Sequence, residues 1–88
     1  MAKEIKQMSI AQQLTNAVQI AKFNKLINPR IRIRYPNDVR AESAEENLPV
    51  GNSVLLRSLE VTITQGGGTI EELVGDHEDG RKNVALAL

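Results

Sequence analysis

Between Ser9 and Tyr35 the apolar residues change period once, from about 3.6 to about 2, and the change falls at Asn28-Pro29. One helix followed at once by one strand is the arrangement this demands. Ser9 followed three residues later by Gln12 matches the capping-box pattern, which opens a helix expected from Ile10 to Ile27. Ile10, Leu14, Ala17, Val18 and Ala21 make one stripe of that helix, while Ile20, Phe23 and Ile27 make a second turned away from it. Two stripes imply two contacts, so Ile20, Phe23 and Ile27 are expected at a second surface, within the chain or on another subunit. Pro29 ends the helix because the residue before a proline avoids the α region.

Beyond it, PRIRIRYPND alternates strictly. Ile31, Ile33 and Tyr35 point to one side of a strand, and Arg30, Arg32 and Arg34 to the other. The next stretch, residues 37–52, is polar and acidic and reads as a long connection between two main strands. Ser53 to Thr64, SVLLRSLEVTIT, reads as the second strand, with Leu55, Leu59, Val61 and Ile63 on one face and Glu60 opposite the arginines. Gly66–Gly68 break that strand. Residues 69–74 fit either a short capped helix or a return strand, and residues 75–83 a charged turn region. The chain closes on VALAL, whose Val84, Leu86 and Leu88 alternate as in an edge strand, buried in this subunit or in a neighbour. The expected fold class is therefore α+β: one long N-terminal helix on a small antiparallel sheet, with a short C-terminal helix or strand. A single domain over residues 1–88, with residues 1–8 flexible, is the expected organisation.

Composition sharpens what such a chain can do. It has 88 residues, and its only large rings are Phe23 and Tyr35. A short chain with an aliphatic core gains little from burial, and association of copies is a common remedy, so a homo-oligomer is expected. Cysteine is absent, which removes disulfides and thiolate zinc sites. No apolar run reaches the ~18 residues of a membrane span, and the N-terminus has no signal-peptide block, so a cytoplasmic protein, of a cell or an infected cell, is expected.

The net charge is zero, yet residues 1–40 sum to +8 − 2 = +6 and residues 41–88 to +3 − 9 = −6. That polarity has three readings: a nucleic-acid face, neutralisation inside the fold, or electrostatic self-association. Alternate strand positions lie about 6.5–7 Å apart, close to the spacing of successive phosphates, and guanidinium groups bind phosphate in bidentate fashion. Arg30, Arg32 and Arg34, flanked in sequence by Lys22, Lys25 and Arg40, are thus the candidate site for a nucleic-acid backbone or an acidic protein surface.

Chemistry is less favoured. His77 is the only histidine, and no G-x-S-x-G surrounds a serine. Asp76-His77-Glu78-Asp79 has metal-binding residue types, but neighbours on one loop do not preorganise a site. The triple glycine lacks both the Walker lysine and the G-x-G-x-x-G spacing. No enzyme, metal or cofactor is expected.

The helix, the basic strand, the acidic connection and LEVTIT together resemble the second half of Alba-type nucleic-acid-binding proteins, over Ile10–Thr64 and in pattern rather than shared motif. The family's leading strand and helix, with their lysine-bearing loop, have no counterpart here. The resemblance implies nucleic-acid binding. Two functions are therefore expected: a binding module using the arginine row on nucleic-acid backbone, or a structural or assembly protein (virion component, scaffold subunit or inhibitor) that self-associates through its basic N-terminal and acidic C-terminal halves, with Ile20, Phe23, Ile27, Val84, Leu86 and Leu88 at the interface.

Overall fold

A computed structural model describes residues 8–36, 44–80 and 84–87. Helix α1 spans Ile10–Phe23, and its N-cap is Ser9, whose Oγ accepts the Gln12 N–H at 3.1 Å. The expected stripe is the buried one, with Leu14, Ala17, Val18 and Ala21 facing inward.

The helix stops four residues short of the expected Ile27. Lys25 adopts a left-handed φ of 55°, its N–H donates to Lys22 O at 3.1 Å, and the Leu26 N–H donates to Ala21 O at 3.0 Å. These two bonds form a Schellman motif, which satisfies carbonyls the helix end would otherwise leave open. A glycine ordinarily marks that stop, and here a lysine occupies the position, so the sequence pointed to Pro29 instead.

Strand β1 (Ile27–Arg34) is flanked by β2 (Ala44–Asn47) on one side and β3 (Thr69–Asp76) on the other. Strand β4 (Val84–Ala87) pairs with the far side of β3, giving an antiparallel sheet ordered β2-β1-β3-β4. Residues 69–74 are thus strand and not helix. The turn region expected over 75–83 yields its first two residues to β3, and residues 81–83 lie outside the described residues, as does the N-terminal stretch 1–7.

The largest correction concerns residues 53–64. They form helix α2 (Ser53–Gln65), capped by Asn52, whose Oδ1 accepts the Leu55 N–H at 3.0 Å. The strand reading required Arg57 on an apolar face, whereas the helix places Leu56, Leu59 and Ile63 on its inner side and Arg57 outside. Packing overrides the β preference of Val61-Thr62-Ile63-Thr64. The long connection expected over residues 37–52 is not confirmed: residues 44–47 are β2, residues 53–64 belong to α2, and residues 37–43 lie outside the described residues. The pairing of Glu60 with the arginine row also fails, since Glu60 pairs with Arg57 at 3.4 Å.

The two helices share one side of the sheet. Leu14, Ala17, Val18 and Ala21 of α1 and Ile63 of α2 meet Ile31 and Ile33 of β1 and Leu73 of β3, with Leu48 closing the cluster. Each large aliphatic side chain buried this way contributes about 1.5–3 kcal/mol. Because Ile31 and Ile33 are fully buried on the helix side, Arg30, Arg32 and Arg34 must project from the other face.

The triple glycine also has a defined place. Gly66 follows the last residue of α2, Gly67 has φ of 70°, and the Gly67 and Gly68 N–H groups donate to Thr64 O and Ile63 O. This is a second Schellman motif. It lies at the negative end of α2, which does not favour an anion. Gly66 and Gly68 also admit the Tyr35 ring, because a Cβ on either would lie within 3 Å of it.

Candidate functional site: the arginine face and the α1–β1 corner

The arginines occupy one of the two central strands, with an acidic strand on either side. Register opposes Arg32 to Glu45 on β2 and to Glu72 on β3. Arg32 Nε donates to Glu45 Oε2 at 3.2 Å, and Arg32 Nη1 donates to Glu72 Oε2. Arg30 lies 3.7 Å from both Glu45 Oε1 and Asp76 Oδ1. Its Nε is buried without a hydrogen bond, so the contact to Glu45 is an ion pair only.

Arg34 Nε donates to Glu71 Oε2 at 2.5 Å. Glu71 can reach it because of a bulge: between the pairs Arg32–Glu72 and Ile33–Ile70, β3 carries one residue more than β1. Thus all three arginines have carboxylate partners, drawn from two strands of the acidic half. The opposed charges of the two halves meet inside the fold. The hydrogen bond that Arg32 donates to Glu45, together with the charges of Glu72 and Glu45, outweighs desolvation and raises the Arg32 pKa above its ordinary value.

The remaining candidate cations sit elsewhere. Lys22 and Lys25, at the end of α1, are exposed and have no carboxylate partner among the described residues. They border a groove of about 400 Å³ with Leu26, Pro29, Leu48 and Val50. The expected basic patch is therefore two separate features, and Arg40 lies outside the described residues.

The apolar candidates also divide. Ile20 and Leu86 are partly buried against the chain's own core. Phe23 is 88% exposed and Ile27 50% exposed, both beside the α1–β1 turn. For Val84 only the backbone pairing with Gly75 is described, and Leu88 lies outside the described residues. Sequence reasoning missed one further surface. The outward side of α2 carries Val54 and Leu55, 76% and 55% exposed, together with Val61, Ser58 and Thr62, and no charge among these five. The signal was the spacing Leu56, Leu59, Ile63, which identifies the inner side and leaves these residues outside.

Tyr35 packs at the edge of the core, where burial first and the Glu46 charge second raise its phenol pKa. Asp76 is held by Arg30, and no group of three or more metal-binding side chains occurs among the described residues. No helix among the described residues is long and apolar enough to cross a membrane.

No family model, curated protein or solved structure matches the chain. The Alba-type pattern loses its second strand, because LEVTIT lies within α2.

Proposed function

We propose that this protein is a small non-enzymatic assembly module whose work is association with further copies of itself. The supporting observation is the outward side of α2, where Val54 and Leu55 stand 76% and 55% exposed beside Ser58, Val61 and Thr62, with Arg57 as the charged residue at their margin. A helix facing only water ordinarily carries charged residues there, and clustered exposed apolar side chains mark contact surfaces. Phe23, 88% exposed, adds an aromatic anchor of the kind that dominates protein interfaces. The arginine face supports the same reading, since its guanidinium groups are engaged by carboxylates and serve the sheet. Sedimentation velocity over a range of concentrations tests it: association is expected, and a monomer throughout ends the proposal.

A second reading, binding of nucleic-acid backbone, is favoured by one observation. Lys22 and Lys25 are exposed cations with no partner among the described residues. It requires a duplex gel shift at low salt that weakens steeply as salt rises. Absence of a shift at low salt removes it. Both readings place the protein inside a cell or an infected cell.

A further inference from the structure

The segment Leu48-Pro49-Val50 runs between two grooves whose charges are opposite. On one side is the groove of about 400 Å³ bordered by Lys22 and Lys25, with Leu48 and Val50 in its lining. On the other is a groove of about 300 Å³ bordered by Glu46, with Pro49, Leu55 and Leu59 in its lining. The segment is held in place: Leu48 is 4% exposed, and its N–H donates to Pro29 O at 2.9 Å. Asn52, two residues past its end, is fixed as the N-cap of α2. The ridge is therefore preorganised, which lowers the ordering cost of docking.

Neither Lys22, Lys25 nor Glu46 forms an ion pair among the described residues. Opposite charges flanking one ridge are self-complementary under a two-fold rotation, because each cationic groove then faces the acidic groove of the other copy. Apolar side chains at the centre with ion pairs at the rim is the usual anatomy of a protein interface. Val50 and Leu55 are 39% and 55% exposed, and supply the apolar part.

We propose that the Leu48–Val50 ridge and its two grooves form a two-fold interface with a second copy of this chain, Lys22 and Lys25 of each copy meeting Glu46 of the other. This rests on the self-association reading and names its surface and its partner. The contact closes on itself, so it gives a dimer and not an open filament.

The test uses the full chain and two charge-reversed forms, Lys22→Glu/Lys25→Glu and Glu46→Lys, in sedimentation equilibrium with circular dichroism confirming the fold of each. All three positions are exposed, so both forms should fold. Alone, each form sets like charges against each other twice, and its dimerisation should weaken by about tenfold or more relative to the parent. An equimolar mixture sets opposite charges together at both contacts and should recover dimers that neither form makes alone. Reversed forms that associate as the parent does overturn this surface while leaving self-association standing, as does a mixture that stays monomeric. A parent that is itself monomeric overturns both.

Discussion

Arg32 Nε stands 3.2 Å from Glu45 Oε2, and the same two residues are register partners across β1 and β2. Glu72 approaches the guanidinium from β3 on the other side. The row that looked most like a phosphate ladder is thus clamped between carboxylates of its own sheet. A phosphate arriving there would have to displace groups already tethered at the site.

Charge reversal at Arg32 should therefore act on stability first. Arg32→Glu places a third carboxylate between Glu45 and Glu72 and should lower the urea midpoint at low salt, with partial recovery at high salt as repulsion is screened. Arg57→Glu is the comparison, since among the described residues Arg57 pairs only along its own helix, and it is 76% exposed. It should change the midpoint less. Equal midpoints for the two variants would contradict the clamp.

Lys25→Gly should stabilise the fold. Lys25 holds a φ of 55°, where a Cβ is unfavourable and glycine is not. The gain should be about 1 kcal/mol, which for a domain of this size raises Tm by roughly 4–8 °C. Thermal unfolding at a protein concentration low enough for parent and variant both to be monomeric measures it apart from the proposed contact of Lys25 with a second copy, and an unchanged or lower Tm there would contradict the helix-end geometry.

Gly66→Ala should destabilise through contact with a ring. The new Cβ would lie 2.7 Å from Tyr35 Cε1, while the Gly66 φ of −83° is open to any residue. Overpacking of this kind costs about 1–3 kcal/mol. In a Tyr35→Ala background the cost should largely vanish, and a double-mutant cycle in urea reads the difference.

Tyr35 is the only tyrosine and tryptophan is absent, so its ionisation can be followed cleanly by ultraviolet absorbance. Burial and Glu46 raise its pKa above the ordinary 10.0, and the native midpoint should exceed that of the unfolded chain in urea. The folded state binds this proton more tightly than the unfolded state. Its stabilising contribution is therefore complete below pH 10.0 and is lost as pH rises through the folded pKa. Tyr35→Phe should flatten that alkaline decline.

Much of the fold was legible where local and long-range signals agreed. Ser9, the stripe from Leu14 to Ala21 and the alternation from Arg30 to Arg34 each report one environment, and the structure matches them. Val84–Ala87 were legible as an edge strand, since β4 ends the sheet, and residues 69–74 were legible only as one of two alternatives. Residues 53–64 misled because their residue types favour a strand while their burial follows Leu56, Leu59 and Ile63. The arginine row was legible as one face of a strand. Its partners were not, because Glu45, Glu71, Glu72 and Asp76 come from other strands, 13 or more residues from the arginines they meet, and the bulge at Glu71 has no sequence marker.

The most direct test of self-association is the solution mass of the parent protein by sedimentation equilibrium, at low and high salt and without nucleic acid. The chain is 9.7 kDa, and the two-fold interface predicts twice that, 2 × 9.7 = 19.4 kDa, with some dissociation as salt screens the lysine–glutamate contacts. A mass of 9.7 kDa at every concentration and salt would contradict it.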